Sequence, residues 1–170
     1  MQNAAFAALG LASKVDLRMG TLSKSAGVLG AYVVCSRACR DLLVNRARSL
    51  VFSTALPPAI AEAALVALAL IAGAEGEARR ARLRRSIDRF AAGLRKLGLP
   101  ASGATPIFPI VLGAPEEALR AAAVLRAKGL YVRPIRPPTV PAGSSRLRIA
   151  LSAAHEDEQI DRLLGAIADL

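Results

Sequence analysis

The sequence predicts an α/β protein in two parts, residues 1–98 and 99–170, and three observations lead there. A continuous β-prone run, Ala31 to Cys35, follows a glycine- and serine-rich loop and precedes a helical stretch. A long amphipathic segment, Glu77 to Leu97, places Leu83, Ile87, Phe90, Leu94 and Leu97 at steps of four and three, on one stripe. Beyond the Gly/Pro/Ser-containing stretch Leu99 to Thr105, strand and helix patterns alternate to the C-terminus, which puts the boundary at 98/99.

Composition bounds the answer. A chain of 170 residues suffices for one ordinary domain, or for a small domain and part of another. At 54% hydrophobic it can bury a core, which excludes disorder, and with 4% aromatic residues and no Trp that core must be mostly Ala, Leu, Val and Ile. The formal charge is +10, and all but four of the 23 basic residues (Lys14, Lys24, Lys96 and Lys128) are arginine. Such an excess fits phosphate or carboxylate recognition, an acidic portion of the same protein, or a biased genome. The arginine face of Glu77 to Leu97 lacks interleaved aromatic residues, so a solvated face is expected there and not a nucleic-acid reader. Met1 to Ala12 lacks the basic flank of a signal peptide, and the most apolar run, Ala63 to Ala74, is shorter than the roughly 20 residues that span a bilayer. A cytoplasmic protein without membrane or metal is expected. Cys35 and Cys39 have no nearby His and read as free buried thiols.

Taken in order, Met1 to Leu11 is Ala-rich and reads as a helix or a frayed start, and Val15 to Leu17 as a short buried strand. After the strand Ala31 to Cys35, Ser36 is placed to cap a helix running to about Asn45. Arg48 to Pro58 has no helical period. Ala59 to Ala72 is apolar all round and is expected to be a buried helix entered through its prolines. Gly73 to Gly76 is a break before the amphipathic helix. Ile107 to Leu112 reads as a strand, and Pro115 to Lys128 as a helix with Glu116 and Glu117 in its first turn, stopped by Gly129. Leu130 to Val132 follows as a strand, and Arg133 to Pro141 is too rich in proline for regular structure. Arg146 to Leu151 alternates as a strand, arginines on one face and Leu147 and Ile149 on the other. His155 enters a last helix, Glu156 to Leu170, whose stripe is Ile160, Leu163, Leu164 and Ile167.

The chemistry centres on Gly20-Thr21-Leu22-Ser23-Lys24-Ser25-Ala26-Gly27, a lysine held among small residues and hydroxyls. An amine in such a nest can be desolvated into a nucleophile toward a carbonyl, or it can be the solvated lysine of an ordinary loop. No glycine directly precedes Lys24, so the phosphate-binding G-x-x-x-x-G-K-[ST] loop is excluded. Ser53 and Thr54 lie ahead of Pro57 and Pro58 at a helix entrance, where they either bind a phosphate or cap the helix. Arg136 and Thr139 ride on the proline-stiffened loop, and Arg148 projects from a strand, where an arginine can grip a carboxylate through two parallel hydrogen bonds or simply face solvent.

The order Val-Asp-Leu-Arg-Met-Gly-Thr-Leu-Ser-Lys, Phe-Ser-Thr-Ala-Leu-Pro-Pro, Arg-Pro-Pro-Thr-Val-Pro-Ala-Gly-Ser-Ser-Arg-Leu-Arg-Ile and Ala-Ala-His closely resembles the pyridoxal-phosphate-dependent α-oxoamine synthases, from about Val15 to the C-terminus. The resemblance implies fold type I: the C-terminal portion of a large domain with a mostly parallel seven-stranded sheet over 1–98, and a small α+β C-terminal domain over 99–170, in a homodimer. It implies that Lys24 binds pyridoxal 5'-phosphate covalently and moves the substrate proton, that Thr21 binds the cofactor phosphate, and that Thr54, with Ser53 beside it, reaches the phosphate in the partner subunit. It also implies that Thr139 touches substrate and that Arg148 holds the amino-acid carboxylate. The Arg136 to Pro141 loop is most similar to that of the biotin-pathway members, which condense L-alanine with a pimeloyl thioester of CoA or acyl-carrier protein. Other members, such as 2-amino-3-ketobutyrate ligase or 5-aminolevulinate synthase, remain open, as do a non-catalytic remnant that dimerises with a relative and an arginine-rich nucleic-acid binder. Ala26 departs from the bulkier residue usual in the family. The family's further cofactor partners, two histidines and an aspartate, precede the lysine at a distance this chain does not provide, and its single histidine is His155.

Overall fold

The computed structural model describes residues 9–11 and 13–170, and the chain divides into two compact units, Met1–Gly76 and Glu77–Leu170. The reading of Met1 to Leu11 falls mainly outside the described residues.

In the first unit, β1 (Leu17–Thr21) and β2 (Ala31–Cys35) form an antiparallel hairpin with Leu17 opposite Cys35 and Thr21 opposite Ala31. The strand expected at Val15 to Leu17 therefore lies further on and runs into the lysine loop. It is not deeply buried either, because a two-stranded ribbon has no second layer on either face. Of the parallel sheet that the resemblance implied, these are the strands the described residues of this unit contain. Helix α1 (Arg37–Arg46) begins where Ser36 Oγ accepts the Cys39 N–H at 3.2 Å, as its sequence predicts. Cys35 and Cys39 are free and half-buried. A single-turn helix, α2 (Arg48–Val51), occupies part of the segment expected to be irregular. Helix α3 (Pro58–Ala72) has Pro58 in its first turn, but Ala64 is its one buried residue and Leu65 is 63% exposed. Apolar character all round had predicted burial; within this unit nothing packs against most of that surface. Among the described residues no single helix is long and apolar enough to cross a membrane.

The second unit holds the core. Helix α4 (Ala74–Lys96) starts three residues earlier than the glycine break suggested, and it packs Ile87, Phe90, Ala91 and Leu94 against a three-stranded antiparallel sheet. That sheet has the order β3 (Ile107–Gly113), β5 (Ser145–Ala150), β4 (Arg133–Ile135). Helices α5 (Pro115–Ala127) and α6 (Asp157–Ala168) add Ala121, Leu125, Ile160, Leu163 and Ile167 to the same cluster. Phe90 meets Phe108 edge-on, ring centres 4.9 Å apart. Along β5, Ser145, Leu147 and Ile149 are buried and Arg148 is exposed, the alternation its sequence predicts. The two compact units divide at Gly76/Glu77, and the α4 stripe finds its partners in the second unit. One strand was misplaced: the segment Leu130 to Val132 is irregular, and β4 forms within the proline-rich segment. Its position at the sheet edge explains this, since Pro134 can sit there without removing a hydrogen bond the ladder requires.

Candidate active site

Lys24 sits on the turn between β1 and β2, and the backbone around it closes on itself. The Leu22 N–H donates to the Gly30 carbonyl at 2.9 Å, the Val28 N–H to Leu22 at 3.1 Å, and the Gly27 N–H to Lys24 at 3.1 Å. The lysine amine is exposed and makes no ion pair among the described residues. Beside it, the Thr21 and Ser23 hydroxyl oxygens are 2.7 Å apart, and the Ser23 N–H donates to Thr21 Oγ1 at 3.2 Å. Two glycines allow this packing. A methyl group on Gly20 would fall 2.4 Å from Tyr32 Cζ, and one on Gly30 would fall 3.2 Å from Leu56 Cδ1. The second contact brings the chain just beyond Thr54 to the foot of the lysine turn.

The hydroxyl pair expected at Ser53 and Thr54 splits into two roles. Ser53 donates its proton to the Ser49 carbonyl one turn earlier, so in this state it offers a ligand only acceptor lone pairs. Thr54 is exposed, and its hydroxyl has no partner among the described residues. An amine with no competing carboxylate and a hydroxyl pair, Thr21 and Ser23, just ahead of it suit a ligand that carries both an aldehyde and a phosphate. Lys24 would hold the carbonyl carbon and Thr21 would donate to a phosphate oxygen, while the free Thr54 hydroxyl could donate to a phosphate as well. Such a group fits what this unit contains.

Thr139 and Arg148 belong to the second unit. Arg148 lies on the sheet face turned away from the core, opposite Pro109 on β3 and Arg133 on β4. It lines a cleft of about 230 Å³ that His155 also lines, and it makes no ion pair among the described residues. His155 is a helix-entry residue as its sequence predicts: its Nδ1 accepts the Ser152 N–H at 3.1 Å just ahead of the Glu156/Gln159 capping box of α6. Thr139 is exposed on a turn where its N–H donates to the Arg136 carbonyl at 3.1 Å, and it does not line the Arg148 cleft. Arg133 escaped sequence reasoning because its segment was read as irregular. Once β4 is recognised, the register puts Arg133 beside Arg148. Among the described residues no cluster of three or more His, Cys, Asp or Glu could hold a metal ion.

The sequence pattern of the family "Aminotransferase class I and II" matches residues 2–167. Among curated proteins, 8-amino-7-oxononanoate synthase of Anaeromyxobacter dehalogenans strain 2CP-C is 53% identical over 164 residues, which is 96% of this chain and 41% of the relative. The Methylococcus capsulatus protein of the same name is 50% identical over 93% of the chain and 41% of its own length. This chain thus spans about two fifths of the curated relatives it matches. Among solved structures, Sphingomonas wittichii serine palmitoyltransferase superposes with a TM-score of 0.87 at 32% identity, covering 96% of this chain and 41% of that one. Francisella tularensis 8-amino-7-oxononanoate synthase gives 0.78 at 29% identity, covering 90% and 44%. A structure of SPT with PLP as internal aldimine gives 0.89 at 29% identity, covering 96% and 42%. With its pattern matched nearly end to end and its fold shared with these enzymes, the chain belongs to the class I and II aminotransferase family.

Proposed function

We propose that this chain carries the C-terminal part of an 8-amino-7-oxononanoate synthase, a pyridoxal-phosphate-dependent acyltransferase of biotin biosynthesis that condenses L-alanine with a pimeloyl thioester and releases carbon dioxide. The observation that carries the reading is the identity of 50% or more to curated proteins of that name along 93–96% of this chain. The activity is proposed for the whole enzyme of which these residues form part. The large-domain portion and the small C-terminal domain, the homodimer and the cytoplasmic location belong to the same proposal.

When bound, pyridoxal phosphate supplies an electron sink for charge that develops on the amino-acid α-carbon. The protein supplies the rest. Lys24 Nζ would hold the cofactor at its aldehyde carbon, and its free amine is placed to take the proton from the amino-acid α-carbon. Thr21 Oγ1 donates to a phosphate oxygen, and Thr54 serves the cofactor phosphate of the partner subunit, with Ser53 beside it as an acceptor. Arg148 grips the alanine carboxylate with two parallel N–H donors, which fixes which α-substituent faces the base. Thr139 contacts substrate from a loop that its prolines stiffen.

The test is chemical trapping. The chain is incubated with pyridoxal phosphate, reduced with borohydride and mapped by mass spectrometry. The label is expected on Lys24, with Lys14, Lys96 and Lys128 left largely unmodified, and Lys24→Ala should abolish it. Equal labelling of all four lysines would overturn the role given to Lys24.

A further inference from the structure

We infer that Cys35 and Cys39 form a redox-active dithiol, a modification site that a small-molecule disulfide such as oxidised glutathione closes into an intramolecular disulfide bond. They are the only two cysteines of the sequence, and they meet where β2 hands over to α1. Cys35 is the last residue of the strand, and Cys39 lies in the first turn of the helix. The chain between them is fixed: Ser36 Oγ accepts the Cys39 N–H at 3.2 Å, and the Ser36 carbonyl accepts the Arg40 N–H at 2.9 Å. In a helix start capped this way the residue before the cap packs against the end of the first turn, the relation by which an apolar pair staples a helix entrance. Here both positions are cysteine, and the Cys35 thiol interacts with that of Cys39.

Both thiols were expected to be buried, and both are only half-buried, so an oxidant in solution reaches them where it would miss a core cysteine. Among the described residues no cluster of three or more His, Cys, Asp or Glu exists, so the pair lacks the further ligands that a structural zinc requires. Thiol–disulfide exchange is the chemistry left to it. Burial and the neighbouring Cys39 push the Cys35 thiol up, against the pull of the Arg40 charge, so the first attack falls to Cys39. The Cys39 thiolate attacks one sulfur of glutathione disulfide, whose S–S bond breaks, and the departing glutathione thiolate takes a proton from solvent. Cys35 then loses its proton to solvent, attacks the Cys39 sulfur and expels the second glutathione. In sum two protein thiols and one glutathione disulfide become one protein disulfide and two glutathione thiols: the protein is oxidised by two electrons and glutathione is reduced by two. The bond would tie the end of β2 to the first turn of α1. It lies at the opposite end of the hairpin from the Lys24 turn, since Cys35 stands across from Leu17 and Thr21 across from Ala31.

The test is a redox titration. The chain is equilibrated with reduced and oxidised glutathione at graded ratios, quenched with acid, alkylated and mapped by mass spectrometry, once in native buffer and once in guanidinium chloride. The native chain is expected to gain an intramolecular Cys35–Cys39 bond. Cys35→Ser and Cys39→Ser should each lose it and carry a glutathione adduct on the remaining thiol, and Lys24→Ala should leave the equilibrium unchanged. Cysteines four residues apart can pair even in an unfolded chain, so the decisive quantity is the ratio of the two equilibrium constants. Because the fold brings the thiols together, the bond should form on the order of tenfold or more favourably in the native chain than in denaturant. Equal constants, two alkylated thiols at every ratio, or disulfide-linked dimers in place of the intramolecular bond would overturn the inference.

Discussion

The two units draw on similarly apolar sequence and use it in opposite ways. In Glu77–Leu170 the α4, α5 and α6 stripes and one face of the sheet close on a common core, and Phe90, Leu94, Leu125 and Leu147 are fully buried. In Met1–Gly76 only Ala64 and Gly76 are buried among the described residues, while Phe52 is 79% exposed and Leu65 and Leu70 are more than half exposed. Hydrophobicity alone therefore does not make a core. A helix stripe is buried when a sheet face of matching size lies across from it, and a two-stranded hairpin is too narrow to provide one. The first unit owes its order to local devices: a capped helix, a hairpin ladder, and a turn closed by backbone hydrogen bonds.

The largest contrast comes from truncating one apolar side chain in each unit. Phe90→Ala should cost about 3–5 kcal/mol, because it empties a fully buried site and removes the edge contact with Phe108. Leu65→Ala should stay within about 0.5 kcal/mol. Denaturant unfolding followed by circular dichroism measures both, and equal losses would break the contrast. Next in size, Ser36→Ala removes the α1 cap that accepts the Cys39 N–H and should cost about 1 kcal/mol of local stability. That loss should appear as faster amide exchange in α1 while α4 stays protected.

The smallest effect concerns charge on the surface of the second unit. Arg89 donates through Nε to Asp161 at 2.8 Å and through Nη1 to Asp157 at 3.2 Å, which ties α4 to α6. The hydrogen bond from Arg89 holds the Asp161 carboxyl below its ordinary value of 3.8. Asp161 therefore binds fewer protons folded than unfolded. The stability it contributes is complete above that ordinary value and is lost as pH falls through the lower folded one. Arg89→Gln should flatten the acid side of the stability profile below about pH 4, its loss being small because the pair is exposed and fullest at pH 7, where the Asp161 contribution is complete. A profile that keeps its acid slope would count against the link.

Much of the second unit was legible from residues alone. The steps of Leu83, Ile87, Phe90 and Leu94 gave the α4 stripe, and the alternation from Arg146 to Leu151 gave β5 and both its faces. What failed there was β4. Proline chemistry argues against a strand, and only the strand order reveals that this one is an edge, where a missing N–H costs nothing. In the first unit the Ser36 cap was legible because it is a short-range bond. The burial expected for α3 was not realised, since burial depends on what lies opposite. At the candidate site, the lysine, its flanking hydroxyls and Arg148 were named from motif order. That Ser53 spends its proton on Ser49, that Leu56 touches the turn through Gly30, and that Arg133 faces Arg148 are contacts between residues no motif links.

The sequence by itself determined what short-range forces determine: where helices start and stop, which face of β5 is apolar, and which residue types stand at the lysine turn. The tertiary structure alone decided which apolar stripe is buried and where the chain divides, because burial needs a partner surface distant in sequence. It decided, too, which arginines meet across the sheet, since strand register is set by pairing and not by local preference.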